Sequence, residues 1–296
     1  MKSRCMKVIF ARIRLLCLAL LAVPLHVPAF AQSKTQTRLL LSAESARPGA
    51  TVWAGLELKT APHWHTYWRY QGDAGLPTAV AWSLPAGVSA GEIQWPLPKK
   101  NLLTAGDISF CTYIYEDRVV LLVPIKLEAS LPSRPLKLSA TLTWLECEDQ
   151  GVCVPGKSVL HGNLAVGEAS RPSADGALLE QWRAWLPRTG APAHATAQWE
   201  KLVPGNTRTV IIDWESADKQ ADFYPYEHQP SDVEGPTVSL PAPPGHLRLR
   251  KTLKKYEGEW PEKLAGILVG NCDSSNPTVL EADLPLLAPT PGSGEK

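Results

Sequence analysis

Trp144-Leu-Glu-Cys147-Glu-Asp-Gln-Gly-Val-Cys153-Val-Pro155 sets two cysteines with five residues between them, after a β-patterned run and before a turn-rich exit. Asp149-Gln150-Gly151 can reverse the chain there, because Asp and Gly favour tight turns and Gly tolerates positive φ. Reversal brings the two thiols within disulfide range, which needs Cα atoms about 4.4–6.8 Å apart. On spacing alone three uses stay open: a redox centre, a metal site, or a staple closing a hairpin.

The flanking sequence carries a period of two. Leu136, Leu138, Ala140, Leu142 and Trp144 share one face of a strand leading into the first cysteine. Residues 51–59 alternate likewise, with Val52, Ala54, Leu56 and Leu58 inward, and residues 38–44 precede them across an Arg47-Pro48-Gly49 turn. Residues 79–84, 92–95, 118–127 and 158–166 complete a set of short strands. Residues 101–112 are polar and contain glycine, and are expected as a connecting loop. Short strands separated by Pro/Gly turns predict a β-sandwich over residues 36–167.

The period then changes. Leu178, Leu179, Trp182, Trp185 and Leu186 fall on one helical face, with Ser173 as N-cap and Pro187 as stop, so residues 168–189 read as a helical linker. Strand patterns resume at 195–201, 207–214, 237–240, 246–253, 264–269 and 278–284. They predict a second, smaller β-sandwich-like domain at 190–288 and a flexible tail at 289–296. The fold class expected is therefore all-β.

Composition narrows the functions. A net charge of +1 argues against nucleic acid as a partner. The alternation of Leu with Arg and Lys in residues 247–255 is the solvated face of a strand. Residues 1–31 read as a signal peptide: Lys2, Arg4, Lys7, Arg12 and Arg14 precede an apolar run at 15–23, and Ala29-Phe30-Ala31 forms a small-x-small cleavage site. That run is shorter than the roughly 20 residues a spanning helix needs. The expected mature chain is thus exported to a periplasm without a membrane span. Cys5 and Cys17 leave with the leader; Cys111, Cys147, Cys153 and Cys272 remain in an oxidising compartment, where disulfides persist.

The functional reading of the pair is dithiol–disulfide exchange, in which one thiolate attacks a partner's disulfide and the other resolves the mixed intermediate. Glu146, Glu148 and Asp149 disfavour a thiolate, which suits a relay that reacts only inside a docked complex. For a metal, His161 is not at ligand spacing from the cysteines. His63 and His65 form an HxH pair able to bind copper or zinc, against which stands a packed aromatic edge with Trp64, Tyr67 and Trp68. Eleven tryptophans raise the possibility of a sugar-stacking surface, but most alternate into core faces. No phosphate loop, GxSxG elbow or HExxH is present, and no cofactor is expected.

Six stretches together resemble the amino-terminal periplasmic domain of DsbD-type thiol:disulfide interchange proteins, especially the ScsB variant associated with copper tolerance. They are Trp64-His-Thr-Tyr-Trp-Arg69, Gly72-Asp-Ala-Gly-Leu-Pro77, Ile93-Gln-Trp-Pro96, Tyr113-Ile-Tyr-Glu116 running into residues 119–124, Trp144-Leu-Glu-Cys147, and Cys153-Val-Pro155. The resemblance implies an immunoglobulin-like sandwich whose pair is reduced by a thioredoxin-like domain and passes electrons to periplasmic thiol proteins. It implies that Cys153 forms the mixed disulfides and Cys147 resolves them. It also implies a cap loop shielding the pair, for which Phe110 and Asp107 are the candidates. Full-length members continue into a membrane electron carrier and a thioredoxin domain with CxxC. Residues 1–296 contain neither, so electrons are expected from thioredoxin-like partners and a separate membrane carrier. The competing expectation is a copper-binding or protein-binding module in which the pair is only structural.

Overall fold

The period-2 runs pair as two facing sheets. The computed structural model describes residues 33–105, 108–149, 151–189, 194–227, 231–272, 274 and 276–289, so the expected leader, residues 290–296 of the expected tail, and Asp107 lie outside it. One sheet has four strands in the order β1 (Gln36–Leu41), β3 (Thr51–Lys59), β9 (Arg118–Leu127), β6 (Val88–Ala90). The other runs β12 (Arg171–Pro172), β2 (Ala43–Ala46), β11 (Cys153–Val166), β10 (Pro135–Glu148), β4 (Trp64–Gly72), β8 (Ile108–Glu116), β7 (Lys99–Ala105), with β5 (Ala79–Ser83) on β10.

Alternation decides what lies between them. Val52, Ala54, Leu56 and Leu58 of β3 and Val119, Leu121, Val123 and Ile125 of β9 meet Leu136, Leu138, Ala140, Leu142 and Trp144 of β10 in one core. Each Val, Leu or Ile among them contributes about 1.5–3 kcal/mol by leaving water. The sandwich and the strand identities of 51–59 and 118–127 are as the sequence predicts.

The outer face of the four-stranded sheet is covered by α1 (Gly176–Arg183), whose Leu179 packs on Leu40, Val120 and Leu122. The linker helix is thus an added layer on the first sandwich. Its N-cap is Asp175 rather than Ser173. Ser173 Oγ instead donates to the Leu41 carbonyl and accepts from the Asp175 N–H at 3.1 Å, tying the approach to β1. The helix ends at Arg183, before Pro187 is reached.

The remaining strands form one eight-stranded sheet. Its order is β15 (Ala221–Pro225), β19 (Lys263–Gly270), β20 (Thr278–Leu287), β13 (Ala195–Trp199), β14 (Thr207–Glu215), β18 (His246–Lys255), β16 (Ser231–Val233), with β17 (Val238–Leu240) on β18. It curls over its own core of Val210, Ile212, Trp214, Phe223, Leu253 and Leu268. The first core continues into this half through Tyr224, Ile267, Val269 and Val279, and residues 33–296 form one compact unit.

Two local expectations are corrected. Residues 101–112 are not a loop but most of the β7–β8 hairpin, paired from Lys99↔Ile114 to Ala105↔Ile108. Residues 92–95 make only a single bridge, Gln94↔Leu122, instead of a strand. Among the described residues no helix is long and apolar enough to cross a membrane.

Candidate dithiol site

β10 and β11 are joined by the tight reversal that Asp149 and Gly151 predict, with the Gly151 N–H donating to the Glu148 carbonyl at 2.8 Å and Gly151 at φ 91°. The Glu148 N–H also donates to Val152 O at 2.8 Å. Antiparallel pairs alternate, so the adjacent pair Cys147↔Cys153 is of the non-hydrogen-bonded kind, where side chains approach closest. The two cysteines are joined in a disulfide with Cα atoms 4.0 Å apart. The bond is asymmetric: Cys147 is 2% exposed, whereas Cys153 on the outer strand is exposed.

The cysteines lie on the outer face of the sheet, since Trp144 and Glu146 point inward. Glu146, fully buried, accepts from the Lys34 N–H at 2.5 Å and the Trp144 indole N–H at 3.3 Å. Across the sheet the register forms a row. Cys153 pairs with Cys147, Cys147 with His65 on β4, and His65 with Glu116 on β8. Tyr67, Ile114 and Cys147 form a small buried cluster beside that row, against which Leu145 packs.

His63 and His65 both reach Asp149. His63 Nδ1 is 3.3 Å from Asp149 Oδ2 and His65 Nδ1 is 3.8 Å from Oδ1, while His65 Nε2 lies 3.2 Å from the Tyr67 hydroxyl. The backbone locks this arrangement, the Asp149 N–H donating to His63 O at 3.0 Å and His63 taking φ 67°. The His65 side chain is 9% exposed and its Nδ1 has no hydrogen-bond partner. Burial pushes the His65 imidazole below its usual pKa, opposed by Asp149 and Glu116 and aided by Lys99. Next to it a cleft of about 210 Å³ is lined by His63, Trp64, Glu116, Asp117 and Asp149. Among the described residues, no three His, Cys, Asp or Glu side chains are grouped to hold a metal ion.

The loop after β4 lies over this face. Gly75, at φ 110°, sits so close to the Tyr67 ring that a Cβ there would be 2.3 Å from Cε1; only glycine fits. Phe110 is not brought to the disulfide. It is 51% exposed and six residues along β8 from Glu116, about 20 Å at the strand rise, where it lines a cleft with Asp232, Gly235 and Tyr256. Cys111 keeps a free, buried thiol against Gly235, and Cys272 is half-buried against the main core. The HxH spacing drew attention to His65. Its alignment with Cys147 was not readable, because register between strands some eighty residues apart leaves no local trace.

Residues 37–163 match the family model described as "Thiol:disulfide interchange protein DsbD, N-terminal". No curated protein matches the sequence. Among solved structures, the N-terminal periplasmic domain of ScsB from Proteus mirabilis is similar at TM-score 0.59 and 20% identity, covering 88% of this chain and 96% of that one. A protein of unknown function from Porphyromonas gingivalis W83 gives TM-score 0.24 at 13% identity, over 86% of this chain and 100% of its own, too low to carry an argument. The ScsB likeness shows a shared fold. With the family match and the CxxxxxC disulfide in place, residues 37–163 of the chain belong to the DsbD N-terminal family of thiol:disulfide interchange proteins.

Proposed function

We propose that this protein relays electrons by disulfide exchange, with Cys153 as the sulfur that partners engage and Cys147 as the one that leaves and returns. The observation that carries the reading is the unequal exposure of the pair: an incoming thiolate can reach the exposed Cys153 but not Cys147, which is 2% exposed. When a partner thiolate attacks Cys153 Sγ, the Cys147–Cys153 bond breaks, its electron pair passes to Cys147 Sγ, and a mixed disulfide forms on Cys153. Attack by a second partner thiol on that mixed disulfide leaves a dithiol. The dithiol then reduces a client by the reverse sequence.

The partners in this reading are thioredoxin-fold proteins, reduced in turn by a separate membrane electron carrier, and the compartment is the periplasm to which residues 1–31 direct the chain. Val152, 55% exposed beside Cys153, offers apolar surface for such a partner. His65, Tyr67 and the loop around Gly75 shield Cys147 from the inner side.

The test is the reduction potential of the Cys147–Cys153 bond, by equilibration with glutathione and with a thioredoxin-fold protein. Structural disulfides of secreted proteins lie below about −300 mV. The relay reading expects a value above that limit and exchange with the thioredoxin-fold protein. A value below it, with no exchange, leaves the bond a hairpin staple.

A further inference from the structure

The Cys147 step moves a proton as well as electrons, and the site must supply somewhere for it to go. In the reduced state Cys147 carries a thiol, buried and walled in by Tyr67, Ile114 and Leu145. Water reaches it poorly, and buried apolar surroundings disfavour a thiolate. One titratable ring stands in register with it on the same face: His65, paired directly across from Cys147. Its Nδ1 is buried without a hydrogen-bond partner, and Nε2 is held by the Tyr67 hydroxyl at 3.2 Å.

We infer, resting on the exchange reading above, that His65 is the base that takes the proton from the Cys147 thiol, and that Asp149 and His63 hand it on to solvent. In the resolving step the Cys147 S–H proton passes to the imidazole. The sulfur electron pair attacks Cys153 Sγ, the bond from Cys153 to the bound partner breaks, and the partner leaves as a thiolate. Imidazolium then forms 3.8 Å from the Asp149 carboxylate, which lies 3.3 Å from the exposed His63 and lines the adjoining cleft. In the opposite direction the imidazolium returns the proton to the Cys147 thiolate as it leaves.

The groups facing His65 fit this role. Tyr67 on its own strand and Cys147 and Asp149 from the hairpin surround it, with Glu116 on β8 and Lys99 on β7 beyond, the last two paired at 2.7 Å. Burial keeps the ring neutral near pH 7, the form that accepts a proton, and the two carboxylates stabilise the charge once it arrives.

The test separates the two sulfurs. Oxidised protein is alkylated to block any accessible thiol outside the pair, then reduced, freed of reductant, and mixed with dithionitrobenzoate. The first thionitrobenzoate released reports attack by Cys153; the second reports resolution by Cys147. In His65→Gln we expect the first release unchanged and the second slowed about 100-fold at pH 7, a typical loss for a missing general base. The pH midpoint of the second should move from below about 6.5 up toward the ordinary thiol value of about 8.5. A second release with wild-type rate and pH midpoint overturns the inference. A wild-type protein that releases neither equivalent overturns the exchange reading with it. Should His65→Gln not fold, NMR titration of the wild-type imidazole decides: its midpoint should differ between oxidised and reduced protein, and identical midpoints overturn the assignment.

Discussion

Glu146 and Cys147 are neighbours with opposite duties, because successive residues of a strand face opposite sides of the sheet. Glu146 is buried in the core, where it receives the Trp144 indole N–H and the Lys34 N–H. Cys147 is on the outer face, in line with His65. Glu146→Leu should therefore leave the Trp144 N–H unsatisfied and destabilise the fold by about 1–3 kcal/mol in denaturant unfolding, while thiol exchange by the folded protein stays near wild type. The sequence reading grouped Glu146 with Glu148 and Asp149 as negative charges about the thiols. Alternation sets it opposite Cys147, and burial sets it apart from Glu148, which shares its face but is only half-buried at the end of the strand. What sequence could not supply was the partner across the sheet, which is why His65 read as a metal candidate or an aromatic edge.

At the scale of elements, the β10–β11 hairpin is the platform for the disulfide. It pairs continuously from Pro135↔Ala165 to Cys147↔Cys153, and Trp144 lies over its partner Gly156. A Cβ on Gly156 would stand 2.1 Å from Trp144 Cε2, so glycine is what lets the indole lie flat on the strand three residues from Cys153. Gly156→Ala should cost about 1–3 kcal/mol by overpacking, read as a lower thermal midpoint. β10 and much of β11 were legible from their alternation, whereas β4 buries residues on both faces and shows no period of two. The β7–β8 hairpin was not legible, for a physical reason: Leu102, Leu103 and Phe110 are all exposed, so apolar residues occur on the solvent side and blur the period of two. The strand is held by backbone pairing and by Cys111, Tyr113 and Tyr115 pointing inward.

Over the whole molecule, the second half is fastened to the first by polar and aromatic contacts at the far end of β7 and β8. Lys100 pairs with Asp222 at 2.7 Å, and Tyr113 meets Tyr224 at 4.9 Å between ring centres. Lys251, fully buried, donates to Gly235 O at 2.8 Å and to Pro236 O and Thr237 Oγ1 at 3.1 Å. Burial, with Lys100 nearby, pushes its ammonium down to about 7. Between about pH 7 and the unfolded value of about 10.4, the unfolded chain binds a proton that the folded one lacks, so this residue makes stability rise with pH across that window. Lys251→Met should flatten that rise, measured by urea unfolding at pH 7, 8 and 9. Composition and periodicity disclosed an all-β chain with a second β half; they were silent on this seam, because the residues that meet there are far apart in sequence. In the proposed relay the assembled molecule meets its partner through Cys153 and not Cys147. The most direct measurement is capture of a thioredoxin-fold protein by each single-cysteine variant, resolved by non-reducing gel and mass spectrometry. Cys147→Ala should accumulate a mixed disulfide through Cys153, and Cys153→Ala should capture none; equal capture by both, or capture through Cys147 alone, would contradict the account.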